Sequence, residues 1–297
     1  MKLRQFQSKC TALLAVSSIV ISTGSISALA ANTAPKTTMR TAVNGEEETY
    51  VSSEDLKKGD VIVKGEVFID NYTGIANMKV SVHSDSDVKI EKGGFTVPEL
   101  FEGFDAASTT DESEYYRNVD IANVTDVCMF YNKSFPYKNA VLAKDGTSFL
   151  TFDVRVPKGT APGCYTVRVC NGWILESVDS NLRNYYTYAY SEDSEIELEF
   201  MDSTIIVEPE VMLGDVDCNG IVESDDATAV LRYYVQGLMN LPETTRMLNF
   251  HQTYIHAAKA GANVDGNDEI DAQDAVKILR YYVRSLTGRK NISWDEV

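Results

Sequence analysis

Two acidic stretches near the C-terminus hold the side chains best placed for chemistry. In GDVDCNGIVESDD (214–226), Asp215, Asp217, Asn219 and Asp226 fall at positions 1, 3, 5 and 12 of a loop counted from Asp215. In ANVDGNDEIDAQD (262–274), Asn263, Asp265, Asn267 and Asp274 fall at the same positions. Oxygen donors at this spacing suit a hard divalent cation. Calcium collects six to eight oxygens from a loop that points alternate residues inward and turns sharply at position 6. Position 7 then offers its backbone carbonyl, from Ile221 or Glu269, and position 12 closes the shell with a carboxylate from the following helix.

The two loops are unequal. Gly220 is the turn residue of the first, whereas Asp268 stands there in the second and enters a left-handed conformation only at some cost. Asn263 also replaces Asp at position 1, which removes a negative charge. Two calcium ions are expected, the second held more weakly. One Asp-rich loop is most often a solvated surface. Two in register, each with an aliphatic residue at position 8 (Val222, Ile270) for the core and each leading into the same helix, argue for metal.

The elements that must position these loops are the helices that follow. DATAVLRYYV (226–235) and DAVKILRYYV (274–283) repeat at an offset of forty-eight residues. Ala227, Val230, Leu231, Tyr234 and Val235, matched by Ala275, Ile278, Leu279, Tyr282 and Val283, fall on one face at helical spacing. This predicts two apolar stripes buried against each other. Arg232, Tyr233, Arg280 and Tyr281 are repeated but lie off those stripes. Between the copies, LPETTRMLNFHQTYIHAAKAG (241–261) predicts an intervening helix that Pro242 and Glu243 start.

The chain of 297 residues has room for about two domains. Lys2, Arg4 and Lys9, the mostly apolar run from Cys10 to Ile21, and Ala28-Leu29-Ala30 read as an export signal over 1–31, so the protein is expected to be secreted. Its removal takes three basic residues and no acidic ones, moving the formal charge from −17 to −20. Such a surface repels nucleic acid and anionic membranes. No later run reaches the eighteen or so apolar residues of a membrane span. Residues 32–47 read as a flexible arm, 209–213 as a linker and 291–297 as a tail.

From 48 to 208 the pattern is alternation punctuated by turns, as in SFLTFDVRV (148–156), where Leu150, Phe152, Val154 and Val156 face one way. Seven or more such runs without a helix between them predict an antiparallel β-sandwich, with 104–118 a polar loop. Cys164 and Cys170 are too far apart along one strand to bond. Either could reach Cys128, and buried free thiols are the plainer reading.

Residues 214–286 resemble a dockerin, the calcium-dependent docking module of bacterial cellulosomes. GDVDCNGIVESDDATAVLRYYV and ANVDGNDEIDAQDAVKILRYYV match its duplicated loop and exit helix, closed by Asp at position 12. The resemblance implies a small all-α domain over 214–290 that binds the cohesin of a scaffoldin. Carried over residue by residue, it puts partner contacts at Ser224, Asp225, Thr228 and Arg232, and at Ala272, Gln273, Lys277 and Arg280. Tyr233 and Tyr281, repeated without a role in the stripes, join them.

KKGDVIVKGEVFIDNYTGIANMKVSVHSDSDVKI (57–90) and LAKDGTSFLTFDVRVPKGTAPGCYTVRV (142–169) resemble the opening and late strands of a cohesin. That resemblance implies a jelly-roll sandwich, one sheet face of which receives another dockerin-bearing protein. Together the two resemblances imply a non-catalytic cellulosome adaptor acting in plant polysaccharide degradation. The alternative is a carbohydrate-binding module built on Trp173, Tyr185, Tyr186, Tyr188 and Tyr190, because aromatic rings stack on sugar faces. A small sandwich glycosidase or esterase comes third. No GxSxG, HExxH or phosphate loop occurs, His83 reads as structural, and His251 and His256 do not share a helical face. LPETT (241–245) lacks the glycine and apolar tail of a wall-sorting signal.

Overall fold

The computed structural model describes residues 36–72, 74, 77–85, 87–91, 104–108, 124–132, 146, 148–169, 172–175, 182–185, 187–191, 194–267, 269–289 and 292–297. The export signal expected over 1–31 lies outside them, as do Cys170, Tyr186 and Asp268. The chain divides into two compact units, one ending at Ile205 and one running from Ile206 to Val297, with Ser52–Glu54 and Ala161–Gly163 grouped with the second. The division falls inside the last strand and not at the expected linker 209–213. That strand is buried along its whole length, so packing continues past the point where alternation fades.

The first unit is built on two sheets. One has the order β13 (Leu198–Met201), β1 (Thr37–Val43), β3 (Val61–Asp70), β8 (Ser148–Val156), β5 (Lys89–Ile90). The other runs β2 (Glu48–Ser52), β14 (Ser203–Glu208), β9 (Gly163–Val169), β4 (Asn77–Ser84), β7 (Val124–Asn132), β6 (Phe104–Ser108), with β12 (Tyr188–Tyr190) also paired to β4. Strands β10 (Gly172–Leu175) and β11 (Leu182–Tyr185) make a separate antiparallel pair. Leu150, Phe152, Val154 and Val156 of the first sheet and Val80, Val82, Tyr165, Val167 and Val169 of the second are buried, so alternate side chains form a sandwich core.

Two expectations fail here. The supposed flexible arm contains β1, which pairs antiparallel with β3 and parallel with β13. Its alternation is hidden because two of its inward residues are threonines, and the Thr41 hydroxyl satisfies itself by donating to the Val167 carbonyl at 2.8 Å. Residues 104–108, read as loop, form β6 against β7, from Phe104 opposite Asn132 to Ser108 opposite Cys128. Ala106 and Ala107 carry too little β-propensity to mark an edge strand from sequence.

Gly65 of β3 lies opposite Phe152, whose ring covers it: a Cβ there would come within 2.3 Å of the ring edge. Gly65→Ala is therefore expected to force Phe152 from its rotamer and cost about 1–3 kcal/mol, read as a lowered urea midpoint. An unchanged midpoint would show that the ring can move freely.

The second unit is helical. It comprises α2 (Ser224–Leu238), α3 (Glu243–Arg246), a 3-10 turn (Met247–Asn249), α4 (Ile255–Ala262), α5 (Ala272–Leu286) and a last 3-10 turn (Trp294–Glu296). A short helix, α1 (Ser53–Lys58), lies earlier in the chain. The segment between the copies thus yields two short helices and a turn where one helix was expected, with Pro242 capping α3. Val216, Val222, Val230, Met247, Phe250, Ala258, Ala262, Val264 and Ile278 form the core.

The expected stripes are only half right. Ala227, Val230, Ala275 and Ile278 are buried. Leu231, Val235, Leu279 and Val283 are exposed at 46, 44, 46 and 51%, and Tyr233, at 6%, is inside instead. The buried arc of α2 is rotated toward Tyr233 because the 247–262 segment packs on that side, with Phe250 stacked on the Tyr233 ring at 5.1 Å.

Candidate metal centre and docking face

Loop 215–226 folds around its own carboxylates. Gly220, at φ +87°, and Cys218, at φ +55°, take the left-handed turns that bring the chain back on itself. Asp215 Oδ1 accepts from Asn219 N at 3.1 Å and its Oδ2 from Gly220 N at 2.8 Å. Asp217 accepts from Asn219 N at 3.1 Å, and Asn219 Oδ1 from Ile221 N at 2.8 Å. Asp226 joins the two ends of the loop: its Oδ1 accepts from Val216 N at 2.9 Å and its Oδ2 from Glu223 N at 2.8 Å, at the start of α2.

Oxygens of Asp215, Asp217 and Asp226 lie within 4.8 Å of one another, and Asp215 and Asp226 are buried. Burial first, and then the charges of Asp217 and Asp215, push the Asp226 carboxyl up to about 6. Burial likewise raises Asp215. Three mutually repelling carboxylates held by backbone N–H groups are a donor set that a hard dication neutralises, so the residues present fit calcium. The Cys218 thiol beside them is pushed up to about 12, by burial before the neighbouring carboxylates, and is no nucleophile at neutral pH.

Loop 263–274 repeats the frame with fewer charges. Asp274 is buried, raised by burial, and accepts from Val264 N and Asp271 N at 2.9 Å each. Asp265 accepts from Asn267 N, and Asn267 from Glu269 N. Where loop 215–226 has the Asp215 carboxylate, Asn263 accepts from Gly266 N at 2.9 Å and turns its amide donor onto the Asn267 carbonyl. Among the described residues, only the first loop brings three carboxylates together.

The expected partner contacts divide. Ser224, Asp225, Thr228, Arg232, Gln273 and Arg280 are exposed, and Ala272 is half-buried. Tyr233 is in the core beneath Phe250 and the Arg246 guanidinium, 4.6 Å above its ring. Tyr281 is half-buried under Trp294, stacked at 4.5 Å, and Lys277 Nζ donates to the Trp294 carbonyl at 3.3 Å. The repeated tyrosines each hold one aromatic ring from the segment after their helix. The expected tail is therefore part of the unit: Trp294 also covers Gly214, where a Cβ would come within 2.7 Å of its ring, and Val297 is buried.

Of the repetition on the outer face, the arginines stood out in the sequence, and leucines and valines read as core. At the forty-eight-residue offset, Leu231, Arg232, Val235 and Leu238 correspond to Leu279, Arg280, Val283 and Leu286, and all eight are exposed. These leucines and valines stand outside the buried core formed by the described residues of the unit.

In the sandwich, Ala189 is buried between Tyr188 and Tyr190, so both rings point away from the core, edge to face at 5.5 Å. They adjoin a groove of about 350 Å³ lined by Thr187, Tyr188, Glu195, Ile196, Glu197 and Leu198. Side chains of Trp173 and Tyr185 lie outside the described residues.

No protein-family model matches the chain, and no curated protein does. Among solved structures, it is similar to the seventh ScaB type I cohesin from Pseudobacteroides cellulosolvens, at 14% identity over 60% of this chain and 96% of that one, TM-score 0.35. A type III cohesin module of the ScaE cell-surface anchoring scaffoldin of Ruminococcus flavefaciens is similar at 14% identity over 58% and 88%, TM-score 0.37. A non-cellulosomal cohesin from the archaeon Archaeoglobus fulgidus is similar at 13% over 58% and 91%, TM-score 0.34. The sandwich described above rests on this chain's own strand pairing.

Proposed function

We propose that the protein is a non-catalytic adaptor whose helical unit is a calcium-loaded dockerin and whose sandwich is a cohesin-like receptor for another dockerin-bearing protein. Loop 215–226 binds one calcium ion and loop 263–274 a second, more weakly, since Asn263 lowers its charge. Calcium would supply the counter-charge that fixes the start of α2 and of α5. The observation that carries the docking role is the repeated exposed face, Leu231, Val235 and Leu238 with Leu279, Val283 and Leu286. Exposed apolar residues in such an array mark a surface that a partner covers. Arg232 and Arg280 stand beside them as polar contacts.

The test uses the full chain on a panel of immobilised scaffoldin cohesins in calcium. Leu231→Asp together with Leu279→Asp is expected to abolish retention by the cohesin that holds the native chain, with circular dichroism unchanged. Equal retention of native and variant would sink the docking face. The receptor role of the sandwich is read by adding dockerin-bearing proteins to the retained chain.

The outward Tyr188–Tyr190 pair and its groove favour a second reading, glycan binding by the sandwich. Retention on polysaccharide gels that Tyr188→Ala abolishes would establish it.

A further inference from the structure

In an Asn-Gly pair the side-chain amide lies open to attack by the next main-chain nitrogen, because glycine has no Cβ to crowd it. Such pairs stand at 44–45, 171–172 and 219–220. Asn171 lies outside the described residues, and the other two pairs are held in different ways.

Asn44 and Gly45 make a turn at φ +52° and +83°. Asn44 Oδ1 accepts from Lys64 N at 3.0 Å and its own N donates to the Lys64 carbonyl at 2.7 Å, so this pair is fixed by the backbone of β3. Asn219 is fixed by carboxylates. Its Nδ2 donates to Asp217 Oδ2 at 2.9 Å, and the nitrogen that would attack it, Gly220 N, gives its hydrogen to Asp215 Oδ2 at 2.8 Å. Asn219 and Gly220 are exposed to water, and a Cβ on Gly220 would meet no atom within 4 Å. These bonds hold the amide and the nitrogen in place. They depend, however, on Asp215 and Asp217, which repel each other and Asp226 until a cation lies among them. In loop 263–274 the corresponding Asn267 is followed by Asp268, whose side chain crowds the attack. The loop expected to hold calcium more tightly therefore carries the labile pair.

We propose, on the calcium reading above, that Asn219 is a deamidation site guarded by the ion, so that loop 215–226 keeps an irreversible record of time spent without it. When the ion-free loop opens, Gly220 N gives up its proton to a solvent base and bonds to Asn219 Cγ. The Cγ–Nδ2 bond breaks, and the amide nitrogen takes a proton from water and leaves as ammonia. One water then opens the resulting succinimide ring. Opening at Cγ leaves aspartate, which adds a fourth carboxylate to the donor set. Opening at the main-chain carbonyl leaves isoaspartate, whose longer backbone displaces the Ile221 carbonyl from position 7 and disables the loop.

The full chain is aged in mildly alkaline buffer with calcium or with chelator, and mass spectrometry of the peptides carrying Asn219 and Asn44 reads the exchange of amide for acid. Asn219 is expected to convert about tenfold faster or more in chelator, because a bound ion suppresses opening in proportion to its saturation, and Asn44 at one rate in both. Gly220→Ala, compared in chelator where the loop already opens, should slow the conversion several-fold. After calcium is restored, the isoaspartate fraction of the aged chain is expected not to regain its helical circular dichroism. Asn219→Asp, which carries the acid without the longer backbone, should regain it. Equal rates for Asn219 in the two buffers, or full recovery of a chain rich in isoaspartate, overturns the proposal. If those rates are equal while calcium still protects 216–286 from amide exchange, the modification falls and the calcium reading stands. Equal amide exchange in the two buffers takes the calcium reading down with it.

Discussion

Withdrawing divalent cations is expected to melt the helical unit of the full chain and leave the sandwich folded. In the ion-free protein, Asp215, Asp217 and Asp226 repel one another within 4.8 Å, and α2 starts on one of them. Calcium bound to the folded form alone, at about a thousand times its dissociation constant, adds about 4 kcal/mol, enough to decide whether a unit this small is folded. Amide exchange is the measurement: chelator should release protection in 216–286 while β3 and β8 stay protected. Protection unchanged by chelator would remove the calcium assignment. Acid should act in the opposite direction in the chelated protein. Asp226, near 3.8 when unfolded and about 6 when folded, binds its proton more tightly in the folded state. Its contribution is complete below 3.8 and is lost as pH rises through about 6, so the ion-free unit should melt higher at pH about 5 than at pH about 7. Calcium reverses this, because its ligands must be deprotonated.

Asp226→Asn is expected to cost about 3 kcal/mol in calcium and much less in chelator. Both carboxylate oxygens accept a backbone N–H, from Val216 and from Glu223. An amide can accept only one, and it faces the other N–H with a donor, which leaves a buried group unpaired. In chelator that loss is offset by removing one of three clustered charges. With calcium present there is no offset, and a ligand is lost as well. Paired urea titrations in the two buffers read the difference. Equal costs would mean that Asp226 only caps α2. Asp225→Asn, on an exposed residue one position earlier, should change stability by less than about 0.5 kcal/mol in either buffer.

Loop 215–226 was readable because its parts are local: its carboxylates and amide recur at the same spacing in loop 263–274, and the structure places three of its carboxylates together. Strand β8 was readable because every second residue is large and apolar. Strand β1 was not, since threonine looks polar in a sequence whether or not its hydroxyl finds a buried carbonyl. The helices show the limit of periodicity. Leu231 and Tyr233 are both apolar candidates for the inside of α2, and what selects Tyr233 is Phe250, seventeen residues away on a segment whose path no helical spacing predicts. Trp294 decides the same question for Tyr281. The repeated Arg-Tyr pair therefore splits into an outward half and an inward half, and leucines and valines taken for core stand exposed on the outer face.

The contact of Trp294 with Gly214 bears on how the helical unit can be rewired. The residue before loop 215–226 and the segment after α5 meet there, with Lys277 fastening the tryptophan backbone from α5. A module whose termini adjoin tolerates circular permutation. Linking Val297 back to the start of loop 215–226 and opening the chain in the turn after Leu238 would reverse the order of the two copies. Each acidic loop would keep its own helix and each tyrosine its own ring.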